Sequence, residues 1–128
     1  MVGSSKMKKE KIELEFGRSY SDEEKQDIVF SFSERFDVNV SEYFLFEKGF
    51  PEPLLITIKL LGSLSIANFL RSFTGEAGKL LAQKLFPKKK NIGNIKLEIH
   101  YRNEQIQEVS VQIVASNWQE LIKKIMEL

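Results

Sequence analysis

The sequence predicts one α+β domain, a two-layer sandwich in which a four-stranded mixed sheet carries helices on one face. Three segments alternate apolar with charged or polar residues, which is typical of strands that bury one side only. Two motifs led by serine stand before apolar residues at helical spacing, as at helix starts. Because the polar side of the strands is charged, we expect helices on the other side alone. The expected order is β-α-β-α-β-β-α, within a single domain over residues 10–128.

The first strand and the first helix have clear signals. Over residues 11–17, apolar side chains alternate with Lys or Glu, which predicts a half-buried strand. Ser21–Glu24 has the composition of a capping box, in which Ser and Glu satisfy each other's backbone amides. The apolar residues that follow predict an amphipathic helix over 22–36, which residues 37–39 are expected to end.

A second strand is expected over residues 40–47. Its apolar run Tyr43–Phe46 indicates burial on both faces of the sheet. Pro51 and Pro53 lack amide donors, so the segment that holds them is predicted to be a loop.

The stretch 54–70 is open to two interpretations. Eleven of its seventeen residues are apolar and only one is charged. The β-branched sequence 56–58 favours a strand, whereas the spacing of the leucines that follow favours a helix. We predict a helix over about 54–86, interrupted near Gly62–Ser63 or Thr74–Gly75.

The C-terminal third predicts a β-hairpin and a helix. For the apolar residues of 95–102 and 109–113 to share one face, odd-numbered residues must lie opposite each other, for example Ile99 opposite Val109. That register needs an odd-numbered loop, most simply 103–105, or a compensating bulge. Ser116–Gln119 then has the composition of a second capping box. A helical stripe follows it, made of Trp118, Leu121, Ile122, Ile125 and Met126.

Composition excludes most catalytic and metal sites. The chain has no Cys and one His, so thiolate metal sites, cysteine nucleophiles and multi-histidine centres are absent. Glu98 and His100 share the polar face of one strand and would suit proton transfer, but a solvated face with cross-strand charge pairs is the usual role of such residues. We therefore expect a protein that is not an enzyme and uses no cofactor and no metal.

The segment Gly75–Leu80 only partly matches a phosphate-binding loop. Phe73 stands where the first Gly is required, and Leu80 replaces the Ser or Thr that holds magnesium. Gly75, Gly78 and Ala82 are better explained as small residues that let a helix bend or pack closely.

Charge is distributed unevenly along a chain whose net charge is +1. Residues 10–52 carry a net charge of −7 and residues 59–96 a net charge of +7. The basic part holds a candidate site for an anion or a partner, formed by Lys79, Lys84, Lys88, Lys89, Lys90 and Lys96. Nucleic-acid or anionic-surface binding is one alternative for these lysines, although no aromatic residues alternate with them to stack bases. The other alternative is that these lysines balance the negative end of a helix dipole and lie in a solvated loop.

Two further features bear on location. The apolar stretch 54–70 followed by lysines would also suit membrane association, but it is short for a span and interrupted by Lys59 and Gly62–Ser63. Residues 1–9 are polar and lysine-rich and are expected to form a flexible tail without a signal peptide. We therefore expect a cytoplasmic protein that does not span a membrane.

Read from residue 10 to 128, the predicted elements follow a pattern. A strand, a short helix, a strand and a loop with proline precede the apolar stretch Leu60–Ala67, which continues through Phe69–Ser72 to the basic end, the hairpin and the last helix. This pattern resembles the effector-associated constant component domains of bacterial conflict, or defence, systems. Leu85–Phe86 stand where those domains have a Trp, and the hairpin lacks their usual Asp-Gly. The resemblance implies a small domain without catalytic residues that acts as a shared partner of variable effectors.

Together, these observations predict an intracellular protein–protein interaction module, a component of a multi-protein defence or signalling assembly. Its partner is expected to be a protein, self-association included. The terminal helix offers candidate interface residues, which are Trp118, Leu121 and Ile125.

Overall fold

The computed structural model describes residues 9–42, 54–61, 64–89, 93–102 and 108–128. It confirms the α+β class. The described elements are β1 (Glu10–Phe16), α1 (Asp22–Ser33), β2 (Phe36–Glu42), β3 (Leu54–Leu61), α2 (Ile66–Leu70), a 3-10 turn (Arg71–Phe73), α3 (Gly75–Leu85), β4 (Ile95–Arg102), β5 (Glu108–Ala115) and α4 (Trp118–Met126).

The sheet is mixed and has five strands in the order β2-β1-β3-β4-β5, so the prediction of four strands was wrong. Pairs β1–β2 and β3–β4 are parallel, and pairs β1–β3 and β4–β5 are antiparallel. Helices connect the strands of both parallel pairs, as such connections require. Strands β2 and β5 form the two edges of this sheet.

The central strand β3 occupies the first part of the segment predicted to be one helix over 54–86. Both faces of β3 are buried, with Leu54, Ile56 and Ile58 on the helix side and Leu55 and Thr57 on the other. A strand buried on both faces reads as a continuous apolar run and lacks the period-two alternation of a half-exposed strand. The prediction of a helix failed for that reason.

The rest of that segment is helical and broken as expected. Ser65 caps α2 through a hydrogen bond from Asn68 N to its Oγ, at 3.1 Å. Thr74 is extended and Gly75 has φ 71°, a value that favours glycine, so the chain turns there before α3 begins. This confirms the predicted interruption at Thr74–Gly75, whereas Gly62–Ser63 lies outside the described residues.

Strand β1 and the start of α1 confirm their predictions. Ser21 Oγ accepts from Glu24 N at 3.2 Å, and Glu24 Oε1 accepts from Ser21 N at 2.8 Å, which completes the capping box. The helix ends at Ser33, three residues earlier than predicted, because the buried Phe36 already belongs to β2.

Strand β2 begins before the predicted strand over 40–47, and residues 37–39, predicted to be a break, lie within it. Asp37 and Asn39 alternate with Val38 and Val40, which is the pattern of a half-exposed edge strand. Residues 43–47, with the apolar run Tyr43–Phe46, lie outside the described residues.

The hairpin β4–β5 confirms that odd-numbered residues face each other, but its register differs from the example given. Ile99 lies opposite Val111, and Tyr101 lies opposite Val109. The paired region extends to Arg102 and Glu108, so the predicted turn 103–105 was too short. The capping box predicted at Ser116 is wrong, since Asn117 is the N-cap and its Oδ1 accepts from Glu120 N at 2.8 Å.

One core lies between the helices and one face of the sheet, which confirms helices on a single face. Phe32, Phe36, Phe69 and Phe73 form a continuous aromatic series in it, with ring centroids 5.6–6.1 Å apart. The opposite face of the sheet, called the outer face below, carries polar side chains on all five strands: Asn39, Ser41, Glu13, Glu15, Thr57, Lys59, Glu98, His100 and Gln112. The predicted tail, residues 1–9, is described only at Lys9.

Candidate functional site

Strand β5 is an edge of the sheet with an unusual composition for that position. Its eight residues, EVSVQIVA, include one charged residue and no Lys, Pro or Gly. Every residue of β5 is paired with β4 in one unbroken register, so the strand has no bulge. Natural edge strands are commonly protected by lysines, prolines, bulges or short length. Over most of its length β5 lacks these protections, and half of its backbone groups point away from the sheet.

An apolar groove lies beside this edge on the helix side. Side chains of α2, α4 and β5 form most of its lining, chiefly Ile66, Leu70, Val111, Ile125 and Met126, and its volume is about 460 Å³. Arg71 and Thr74 add a cation and a hydroxyl to the same lining. Met126 is 66% exposed, although it lies among apolar neighbours. The β5 edge therefore offers backbone hydrogen-bonding groups next to an apolar surface. We call this groove the α2–α4 groove.

A single cation protects the C-terminal end of the β5 edge. Lys124 Nζ donates to Val114 O at 2.6 Å and lies 3.3 Å from Glu120 Oε1. Ser116 Oγ donates to the other oxygen of Glu120 at 2.6 Å. Hydrogen bonds from Ser116 and Lys124 lower the pKa of Glu120 below its ordinary value, so the carboxylate stays ionised and holds the ammonium in place.

The two ends of the β5 edge thus differ in charge. Glu108 is the only charged residue of β5 and lies at its start, with 68% of its side chain exposed. Lys124 lies at the other end, beside Val114. Glu108 gives one end of the edge a negative charge, whereas the other end holds the Lys124–Glu120 ion pair, with neutral residues of β5 between them.

The outer face holds the pair Glu98–His100 that the sequence singled out. Glu98 receives hydrogen bonds from Gln112 Nε2 at 3.2 Å and Thr57 Oγ1 at 3.5 Å, and lies 3.0 Å from Lys96 Nζ. His100 stands between two carboxylates, with Nε2 3.4 Å from Glu98 and Nδ1 3.3 Å from Glu108. The contacts of Glu98 with Thr57 and Gln112 and of His100 with Glu108 cross between strands, whereas those of Glu98 with Lys96 and His100 run along β4, and together they stabilise an exposed sheet face.

The electrostatics of Glu98 favour an ionised carboxylate. Burial alone would raise the pKa of Glu98, but the hydrogen bonds from Lys96 and His100 outweigh it and lower the pKa. A carboxyl group held in its ionised form is poorly suited to donate a proton at neutral pH. Within the described ranges, no group of three acidic or His side chains is arranged to hold a metal ion.

No family model, curated protein or solved structure matches this chain.

The candidate lysines that the structure describes do not all lie on one surface. Lys96 projects from the outer face beside Glu98, whereas Lys79 and Lys84 lie on α3 in the helix layer. Lys79 lies 3.5 Å from Glu76, and Lys84 donates to Ser31 Oγ at 3.3 Å. Lys88 is exposed, and Lys90 lies outside the described residues.

Lys89 joins two distant elements. Its Nζ contacts Glu24 Oε1 and Ser19 O, and lies 5.6 Å from the centre of the Tyr20 ring. Tyr20 itself is buried and donates its hydroxyl to Leu85 O at 2.5 Å. Burial raises the pKa of Tyr20, so the phenol remains a donor. Lys89 thereby fastens the segment after α3 to the start of α1, a structural role that the sequence did not reveal.

The candidate interface residues of α4 divide into two groups. Leu121 and Ile125 are buried in the core, with Ile125 only bordering the α2–α4 groove, so Leu121 is not available for contact and the prediction is corrected there. Trp118 is half-buried and lines a second groove with Phe86 and Ile95. Met126, which the sequence placed in the same helical stripe but not among the candidate interface residues, has an exposed side chain.

The apolar stretch 54–70 has its apolar side chains turned inward. Most of its described residues belong to the central strand β3 or to the core, which leaves Leu61 as the exposed large residue of the strand. Among the helices that the structure describes, none is long and apolar enough to cross a membrane.

Sequence reasoning missed the β5 edge. It recognised the alternation of Val109, Val111 and Ile113 but gave no strand order, so an edge position was not foreseen. A signal was present in the composition, since eight residues with one charge and no Lys or Pro are unusual for an edge strand.

Proposed function

We propose that this protein is a non-catalytic protein–protein interaction module that binds an extended segment of a partner at the β5 edge. The observation that carries the proposal is an eight-residue edge strand with one charge and no bulge. Main-chain hydrogen bonds to such an edge supply affinity whatever the partner's sequence.

The α2–α4 groove would supply selectivity. In strand addition, alternate side chains of the added segment point to the same face of the sheet. Side chains on the helix side of a segment added to β5 would lie over Val111, Ile125 and Met126. The partner segment is therefore extended and carries apolar residues at every second position, with Lys124 favouring an acidic residue near one end.

The resemblance to effector-associated constant component domains is compatible with this mode. A shared partner of variable effectors needs a binding surface that tolerates different sequences, and backbone pairing has that property. We propose on this basis an intracellular, cytoplasmic component of a multi-protein defence or signalling assembly.

A displayed library of random peptides, selected on the full chain, tests the proposal. We expect the selection to enrich peptides with apolar residues at every second position. These peptides should not bind a Val109→Lys variant of the protein. Val109 is 47% exposed on the edge strand, so lysine there keeps the fold and prevents strand addition.

Val40→Lys is the matched control, because Val40 is 51% exposed on β2 at the other edge of the sheet. The enriched peptides should bind this variant as they bind the wild type. Circular dichroism establishes that both variants are folded. A library that yields no peptide with this pair of responses would contradict the proposed function.

A further inference from the structure

We infer that the segment bound at the β5 edge is β5 of a second copy of this chain, paired antiparallel about a two-fold axis at Val111. This inference rests on the proposed function and names its partner. The three features that support it are the symmetry of the strand, the distribution of its charges and the position of the α2–α4 groove.

The strand is self-complementary in length and pattern. When two copies of a strand pair antiparallel about an axis perpendicular to the sheet, opposite residues must point to the same face of the joined sheet. This condition is met only when the axis passes beside a residue that lies opposite its own copy. Val111 lies near the middle of Glu108–Ala115, so centring the axis there pairs almost the whole strand. Val109 then lies opposite Ile113 of the copy, and Ser110 lies opposite Gln112.

The charges of the edge are complementary in this register and in this direction. Glu108 lies three positions before Val111, and Val114 lies three positions after it. Glu108 of one copy therefore lies opposite Val114 of the other, and in this pairing the added strand takes the place of Lys124 at Val114 O, which leaves the ammonium beside the Glu108 carboxylate. The axis repeats this contact, so two acid–lysine contacts form and no two like charges of the edge strands face each other.

The grooves also meet in this arrangement. A two-fold axis perpendicular to the sheet places both helix layers on the same side, so α4 of one copy approaches α4 of the other across the joined edge. The exposed side chain of Met126 and the apolar lining of both grooves are then covered by each other. The result is one continuous ten-stranded sheet.

Two reciprocal charge reversals test the arrangement. Sedimentation of the wild type should show a dimer, whereas Glu108→Lys and Lys124→Glu should each weaken it by about tenfold, because each places like charges in both contacts. An equal mixture of the two variants should restore the dimer, since both contacts then join opposite charges. The restoration should fade at high salt.

A cross-link gives a second measurement. The chain has no Cys, so Val111→Cys introduces the only thiol, and mild oxidation should join two chains through it. Val40→Cys, on the opposite edge, is the control and should remain unlinked. Both substitutions are close in volume to valine, so the fold should tolerate them.

The outcomes separate this inference from the proposed function. A wild type that stays monomeric at its highest soluble concentration, or a mixture that fails to restore the dimer, overturns the two-fold pairing. If library peptides still bind the wild type and the Val40→Lys variant but not the Val109→Lys variant, the β5 edge remains an interaction site for another protein. If neither peptides nor a second copy bind, both conclusions fail.

Discussion

Gly78 lies where α3 passes closest to the 3-10 turn that precedes it. A Cβ atom there would stand 2.2 Å from the carbonyl carbon of Phe73 and 2.5 Å from its oxygen. These are backbone atoms, so no side-chain rotation relieves the contact. The absence of a side chain at Gly78 is what allows Phe73 to enter the core at the start of α3.

We expect Gly78→Ala to destabilise the protein by about 2 kcal/mol or more in urea unfolding. Alanine gains about 1 kcal/mol of helix propensity over glycine, but a backbone displacement in a packed region costs more than that gain. The gain alone would make the variant more stable, so the sign of the change decides between the two effects.

Two other glycines serve as references for that measurement. Gly75 has φ 71° and open space around it, so Gly75→Ala should cost about 1 kcal/mol through backbone strain alone. At Gly93 nothing lies within 4 Å of an added Cβ, and Gly93→Ala should change stability by less than about 0.5 kcal/mol. An equal effect at all three positions would contradict the packing argument.

The contact between Lys89 and Glu24 joins elements that are distant in sequence. Lys89 follows α3, whereas Glu24 lies in the first turn of α1, and each side chain is about three-quarters buried. Burial alone would raise the pKa of Glu24, but hydrogen bonds from Lys89 and Ser21 lower it below its ordinary value of 4.5. The contact therefore contributes to stability only while Glu24 is ionised.

We expect Lys89→Met to lower the free energy of unfolding by about 1 kcal/mol at pH 7. Because the pKa of Glu24 is lower in the folded state than in the unfolded state, its contribution is complete above about 4.5 and is lost as the pH falls through the folded value. The difference between variant and wild type should therefore shrink in strongly acidic urea titrations.

Lys79→Met, at another of the candidate lysines, is the matched control for Lys89→Met. Lys79→Met removes a contact with Glu76 in which both side chains are largely exposed, so it should alter stability by less than about 0.5 kcal/mol. If Lys79→Met and Lys89→Met cost the same at pH 7, the joining role assigned to Lys89 is wrong.

The elements with the clearest alternation or capping signal were predicted well from the sequence, whereas the half-exposed β2 was placed too late and β3 was taken for a helix. Strand β1 and the hairpin alternate in period two, and the cap at Ser21 determines where α1 begins. Strand β3 lies between two others and is buried on both faces, so its sequence carries no period that separates strand from helix. The edge position of β5 depends on strand order, which distant pairing decides and local patterns do not encode.

At the scale of the whole molecule, one core serves all the described helices and the strands they cover. Ile58 is fully buried in the central strand, with β1 on one side and β4 on the other. A core shared in this way should not unfold in parts. Substitutions at its centre should therefore weaken the whole chain together.

We expect Ile58→Ala to lower the free energy of unfolding by about 3 kcal/mol, the cost of a cavity in a packed core. Trp118, the only tryptophan, reports on α4 by fluorescence, while circular dichroism reports on all elements. Both signals should shift to the same lower urea midpoint. Separate midpoints would show that the β5–α4 region unfolds independently of the centre.

The position of β1 between β2 and β3 affects how the chain folds during synthesis. The ribosome releases β1, α1 and β2 first, and this unit leaves one edge of β1 without a partner until β3 emerges. At ordinary elongation rates the residues from Glu42 to Leu61 take roughly one to four seconds to add. Throughout that interval one backbone edge of β1 would be unpaired, beside the apolar side chains of Ile12, Leu14 and Phe16, and such a surface would suit binding by a chaperone at the ribosome.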